Sequence, residues 1–287
     1  MHPFDYAAPG GIDEALALLS RHGADAKVLA GGQSLVPLLN YRLAKPRMVI
    51  DINALDLGAV GLEGDTVRLG ALVRHHILEE SPEIAHACPL LGAAARLIGN
   101  VRVRSLGTVG GSLAHADPAA ELPLVMVALD AHLTIRRGGG TRRIGASQFF
   151  TGYLSTSLEP NELLTEIEVP HTVGKGTALE ELARRAGDFA VIAVAVVVGV
   201  DRRGRVDEAR LAYAGVGPQP LRAHRAEDVL VGHEPTAEWV ARAAGVARGT
   251  MPTHSDAFAS SAYRSLLVEV LGRRALGQAV GRALATS

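Results

Sequence analysis

Residues 28–36 read Val28-Leu29-Ala30-Gly31-Gly32-Gln33-Ser34-Leu35-Val36. Three apolar residues run into a glycine pair, a polar pair follows, and two apolar residues resume. The pattern predicts a short buried strand that ends in a sharp turn. Two successive residues without a Cβ let the backbone approach a neighbour closely. The N–H groups of such a turn can then converge on an anionic group such as a diphosphate. Most glycine pairs are turns and nothing more, so this stretch alone leaves both readings open.

A second pair stands about 80 residues downstream, in Thr108-Val109-Gly110-Gly111-Ser112-Leu113. Ala114-His115-Ala116-Asp117-Pro118 follows, and then Glu121-Leu122-Pro123. Two turns of one kind can face a dinucleotide from two sides. With both motifs in view, the chain resembles the FAD-binding medium subunit of the molybdenum hydroxylases, the family of carbon monoxide dehydrogenase and xanthine dehydrogenase. The family's Ala-Gly-Gly-x-Ser/Asp-Leu stands here as residues 30–35, and its Thr-Ile/Val-Gly-Gly-x-Leu/Ile-x-x-Ala-x-Pro as residues 108–118. The likeness runs on through Arg184-Arg185-Ala186-Gly187-Asp188-Phe189, which matches Arg-Arg-x-Gly-Asp-Phe, to Asp256 and Ser260-Ser261-Ala262-Tyr263-Arg264 near the C-terminus.

The resemblance implies one FAD. Ala30, Gly31, Gly32, Gln33, Ser34 and Leu35 would wrap its diphosphate and ribityl chain, with Thr108, Gly111 and Ser112 meeting the phosphates from the other side. Glu121 would accept from the adenosine ribose, a fitting pair for a carboxylate; a solvated acid in a first helical turn is the other reading. Leu164 would pack near the cofactor or be a plain core leucine. Asp117 would lie close to the flavin or simply form a turn with Pro118. Asp188 and Phe189 would reach the isoalloxazine edge, unless Phe189 only starts a core strand. His115 and Asp117 supply just two ligands in their loop, so no metal site is expected. No nucleophile–base pair is evident, and no catalytic residue is assigned.

The implied function is that of an FAD-carrying electron-transfer subunit. It would take electrons from iron–sulfur clusters on a small subunit and pass them to an external acceptor. A large subunit would hold the molybdenum cofactor, and the assembly would be a dimer of heterotrimers. The competing readings are a free-standing FAD-dependent oxidase or reductase, and a binding module that has lost its flavin. Several positions depart from the family pattern. Asn40 stands where many relatives have Lys, Asn100 and Ser105-Leu106 alter the approach to the second motif, and Leu179-Glu180-Glu181-Leu182 replaces an aromatic and a Lys. The last change removes a cation expected near the flavin.

Composition narrows the partners. At 287 residues the chain is long enough for two domains with sizeable cores. A net charge of −1 and 4% aromatic residues give no electrostatic or stacking footprint for nucleic acid. No apolar run reaches the roughly 18 residues of a membrane span. The single cysteine, Cys88, excludes an internal disulfide and a cysteine-ligated cluster built by this chain alone. With no leader pattern at the start, a cytoplasmic setting is expected.

Periodicity gives the elements. Ile12, Ala15, Leu16 and Leu19 form one face of a first helix, with Asp13 as expected N-cap and Gly23 as stop. Strands are expected at 27–30, 48–52, 67–71 and 163–169, the last stopped by Pro170, and a hairpin at 133–136 and 142–144. Helices are expected at 35–43, from Ser81-Pro82, at 89–98 and at 119–129. After a linker at 171–177 come strands at 178–185, 189–200 and 205–216, then helices near 225–232, 236–248 and 260–283. The expected architecture is α+β. A two-lobed FAD-binding domain of the vanillyl-alcohol oxidase / p-cresol methylhydroxylase type would occupy 1–173, with lobes near 1–55 and 56–173. A three-stranded antiparallel sheet with a helical bundle would occupy 174–287.

Overall fold

The structure is a computed structural model and describes residues 1–286. The N-terminal lobe runs β1 (Asp5–Ala7), α1 (Ile12–His22), β2 (Ala26–Leu29), α2 (Leu35–Asn40) and β3 (Met48–Asp51). Its three strands form a parallel sheet in the order β1-β3-β2. Helix α1 buries Ala15, Leu16 and Leu19, the face its spacing predicts, and Gly23 ends it. Asp13 is not the N-cap. The helix starts from Gly11, whose extended backbone precedes the first turn, and Glu14 reaches back to accept the Gly10 N–H at 2.9 Å. Asp13 sits inside the first turn instead, where its charge favours the helix dipole.

The second lobe continues with β4 (Val60–Glu63), β5 (Thr66–Gly70), α3 (His75–Glu80), α4 (Pro82–Ala87), α5 (Pro89–Leu97), α6 (Val101–Leu106), α7 (Val109–His115) and α8 (Glu121–Ala128). Then come β6 (His132–Arg137), β7 (Gly140–Gly145), α9 (Ala146–Phe149), β8 (Phe150–Gly152), β9 (Ser155–Thr156) and β10 (Glu162–Pro170). Five of these strands form an antiparallel sheet in the order β4-β5-β10-β6-β7, with the predicted β6–β7 hairpin at one edge. Ser81 caps α4 through its hydroxyl, which accepts from the Ile84 N–H, and Pro82 takes the first helical position as its sequence position foretold. Strand β10 stops at Pro170 as expected, the proline being its last residue and pairing with Thr66.

The C-terminal part holds β11 (Gly176–Ala183), β12 (Ala190–Val200), β13 (Val206–Ala214), β14 (Leu221–Arg222), α10 (His224–Leu230), α11 (Ala237–Thr250) and α12 (Ser261–Thr286). The sheet is antiparallel, and the two-residue β14 makes it four-stranded where three strands were expected. A strand of two residues carries no periodicity to read. All but the last residue of β12 are buried, because both faces of the sheet are covered. One face packs under α10, α11 and α12, and the other joins the core of the second lobe against α5 and α8. That sandwich explains why every residue of α8 is buried, Glu121 included. Arg222 ties the two parts together, its Nη1 lying 2.9 Å from each carboxylate oxygen of Asp130.

Candidate functional site

Strand β2 delivers Ala30 into the first glycine pair. A Cβ on Gly31 would fall 2.8 Å from the Gly107 Cα and closer still to the Leu106 carbonyl oxygen, so only glycine lets the loop lie against that segment. Gly32 has φ +72°, the left-handed region that a residue with a Cβ rarely enters. The chain then bends into α2, with Val36 N–H donating to Gly32 O at 3.0 Å and Leu38 N–H to Ser34 O at 3.3 Å. Gln33 folds back on its own loop, its amide donating to Gly31 O at 3.0 Å. Among the described residues, no protein acceptor takes the backbone N–H groups of residues 31–35. Successive unpaired amides of this kind form an anion-binding concavity.

The second glycine pair is not a turn. It forms the first turn of α7, capped by Thr108, whose hydroxyl accepts from the Gly111 N–H at 3.1 Å. Val109 N–H donates to Val73 O at 2.9 Å and Gly110 N–H to Ala71 O at 2.8 Å. The amides here are therefore committed to the protein, and Thr108 is only 2% exposed. The glycines still serve close packing. A Cβ on Gly111 would stand 3.9 Å from that of Ala30, which puts the two motifs side by side. Gly111 and Ser112 are half-buried beside the first loop. From Thr108 the seven residues of α7 carry the chain about 10 Å, at 1.5 Å per residue, to the turn before Glu121.

Beneath the first loop lies a cleft of about 660 Å³, bordered by Ala30, Gly31, Gly32, Gln33, Asn53 and Arg74 among others. Asn53 and Arg74 were not singled out from sequence. Arg74 donates to Asn53 Oδ1 at 2.7 Å and to the Leu106 carbonyl, while Asn53 Nδ2 donates to Ala30 O at 2.8 Å. Together they brace one motif against the other. No spacing rule marks a lone arginine between a strand and a helix, or a lone asparagine after a strand.

At the far end of α7, Asp117 forms the turn that its sequence predicted, Oδ1 accepting from the Ala119 N–H at 2.9 Å. Burial pushes the half-buried His115 imidazole down, against the upward pull of Asp117. Glu121 is 5% exposed and is no solvated helix-start acid. Burial, with the negative charges of Glu181 and Asp117 adding to it, pushes its carboxyl up to about 8. Glu181, on β11 within the stretch 179–182 where an aromatic and a Lys were expected, is pushed up to about 7 by burial, and its Oε2 has no hydrogen-bond partner among the described residues. Leu164 is 4% exposed on β10 and belongs to the core of the second lobe. Asp188 and Phe189 sit on the β11–β12 loop, Phe189 at 59% exposed. That loop leans on the turn between α5 and α6, where Gly187 packs against the Gly99 carbonyl. Among the described residues, no group of three or more His, Cys, Asp or Glu is placed to hold a metal ion.

Residues 2–172 match the family described as FAD binding domain in molybdopterin dehydrogenase, and residues 177–279 match the CO dehydrogenase flavoprotein C-terminal domain. The chain belongs to this family of FAD-binding flavoproteins. The 6-hydroxypseudooxynicotine dehydrogenase complex subunit alpha of Paenarthrobacter nicotinovorans is 38% identical over 285 residues, 99% of this chain and 96% of that one. The carbon monoxide dehydrogenase medium chain of Hydrogenophaga pseudoflava is 38% identical, covering 97% of this chain and 98% of the relative. A solved carbon monoxide dehydrogenase from Hydrogenophaga pseudoflava superposes with a TM-score of 0.95 at 39% identity, over 98% of this chain and 99% of that one.

For an FAD-binding flavoprotein the residues of the first glycine loop fit the cofactor. The free amides of residues 31–35 suit a diphosphate, and glycine at 31 lets that loop lie directly against the Leu106–Gly107 backbone. Glu121 opens α8 beyond the turn that follows α7 and is buried, and among the described residues neither a cation nor another side chain bonds its carboxylate.

Proposed function

We propose that this chain is the FAD-carrying electron-transfer subunit of a molybdenum hydroxylase. It would receive electrons from iron–sulfur clusters on a small partner subunit and release them to an external acceptor, while a large partner subunit holds the molybdenum cofactor and the substrate. The observation that carries this reading is the brace between the two glycine motifs, with the unpaired amides of residues 31–35 beside it, in a chain that aligns end to end with medium subunits. Bound FAD would supply the conversion between electron-pair and single-electron transfer.

The chain's own residues hold and orient. Residues 31–35 donate backbone N–H groups to the diphosphate, with Gly111 and Ser112 closing the other side. Thr108 acts through the cap it gives α7. Glu121 accepts from ribose hydroxyls, Asp117 fixes the turn that places it, and Leu164 packs behind the cofactor. Asp188 and Phe189, on a loop that leans on the neighbouring turn, flank the isoalloxazine edge. The stretch 179–182, with no cation, leaves an anionic ring less stabilised there. The finer architecture belongs to this proposal as well: a two-lobed domain of the vanillyl-alcohol oxidase type over 1–173 and a C-terminal domain over 174–287, in a dimer of heterotrimers. Family matches ending at 172 and starting again at 177 support that division. One buried cysteine, its thiol pushed up to about 12 by burial, suits a cytoplasmic setting. No helix among the described residues is long and apolar enough to cross a membrane.

The test is the cofactor content of the chain purified alone. One FAD per chain, released completely into the supernatant by acid precipitation, with neither iron nor molybdenum by elemental analysis, is the expected result. Colour retained in the pellet would refute non-covalent binding, and a colourless chain that takes up no added FAD would overturn the reading.

A further inference from the structure

A diphosphate brings about two negative charges, and backbone amides offer only partial positive ones. The cleft below residues 31–35 therefore raises the question of where a full positive charge comes from. Arg74 is the only charged side chain that lines it among the described residues. Its position is set from both sides. Its backbone forms a β-bridge with Thr108, its guanidinium donates to the Leu106 carbonyl, and a second donor reaches Asn53 Oδ1 at 2.7 Å. Asn53 is itself fixed, since its Nδ2 donates to Asp51 Oδ1 at 2.6 Å and to Ala30 O at 2.8 Å. The remaining guanidinium N–H groups have no protein acceptor among the described residues, although Arg74 is half-buried. Arginine presents its donors in a planar fork, which matches phosphate oxygens better than an ammonium does.

Resting on the FAD reading above, we propose that Arg74 is a diphosphate-binding residue, held by Asn53 and Leu106 so that its free guanidinium donors supply the full positive charge that the amides of residues 31–35 lack. Asp51 is the nearest counter-charge. Burial works to raise its carboxyl, but the Asn53 backbone N–H, the Tyr6 hydroxyl at 2.7 Å, the Asn53 amide and the Arg74 charge outweigh it, so Asp51 stays anionic. Asp51 is bonded to Tyr6 and Asn53 and takes no hydrogen bond from Arg74, which leaves the arginine's free donors for a ligand.

The experiment titrates the deflavinated full chain with FAD and with riboflavin, which has no phosphate, across a series of salt concentrations. Arg74→Gln should weaken FAD at least tenfold, leave riboflavin within twofold, and flatten the fall of FAD affinity with salt, because salt screens the lost charge–charge attraction. Equal weakening of both ligands with the salt dependence kept would make Arg74 a brace and overturn the proposal, as would unchanged FAD affinity. If circular dichroism shows Arg74→Gln unfolded, Arg74→Lys decides. A kept salt dependence with FAD weakened severalfold supports the charge role, and a lost salt dependence overturns it. Failure of the wild-type chain to bind FAD at all sinks the cofactor reading itself, a separate outcome.

Discussion

Gly31→Ala is the sharpest single perturbation. The added Cβ meets backbone rather than side-chain atoms, the Gly107 Cα at 2.8 Å, the Leu106 carbonyl carbon at 2.9 Å and the carbonyl oxygen nearer still. None of these can rotate away. Either the fold absorbs the overpacking, which costs about 1–3 kcal/mol, or the loop swings off Leu106 by on the order of 1 Å. A displaced loop carries the amides of residues 31–35 away from the diphosphate. At about 1.4 kcal/mol per decade, FAD affinity should fall roughly tenfold to a hundredfold. Fluorescence titration of the deflavinated variant measures the affinity, and urea unfolding measures the share borne by the fold. Gly138→Ala, where a Cβ would meet nothing within 4 Å, is the control and should match wild type in both. Wild-type FAD affinity together with a wild-type urea midpoint in Gly31→Ala would refute the close approach and the role assigned to this loop.

Two pH predictions concern the deflavinated chain. Glu121 has a folded pKa raised to about 8 from 4.5, so between those values the folded state binds the extra proton and stability falls as pH rises. Glu121→Gln should flatten urea midpoints across that window; an unchanged slope contradicts the buried, unpaired carboxyl. Burial first, with the Arg74 and Arg104 cations, lowers the buried His75 to about 4 from 6.5, against the upward pull of the Thr108 backbone, and among the described residues neither ring nitrogen makes a hydrogen bond of good geometry. Here the unfolded state binds the extra proton, so stability is lost as pH falls from 6.5 toward 4, and His75→Leu should remove that loss in acid unfolding scans. If it does not, the imidazole is protonated and paired in the fold.

Much of the fold was legible because its signals are local. The apolar run into Gly31-Gly32, the 3.6-residue spacing of α1, Pro82 behind Ser81, and the valine-rich β12 each state their structure within about ten residues. The site was only half legible, for a physical reason. Both glycine pairs look alike in sequence, yet the first is a left-handed turn with free amides and the second opens a helix whose amides bond to Val73, Ala71 and Thr108. Which one a glycine pair becomes depends on the carbonyls of Ala71 and Val73, just past β5 and some 35–40 residues earlier in the chain, which no window reads. Asn53 and Arg74 were missed for the same cause, since their meaning lies in contacts to Ala30 and Leu106. The burial of Glu121 arises from the C-terminal sheet closing over α8, so the acid reads as solvated until that sheet is placed.

The central claim is that this flavin relays electrons and does not meet the organic substrate. The direct measurement follows flavin absorbance on adding substrate to the chain alone and to the chain co-purified with its molybdenum and iron–sulfur partners. The account predicts bleaching in the assembled complex and none in the isolated FAD-loaded chain, whose single cysteine is buried and in which, among the described residues, no group of three or more His, Cys, Asp or Glu is placed to hold a metal ion. Rapid bleaching of the isolated chain by an organic substrate would contradict it and establish a free-standing flavoenzyme.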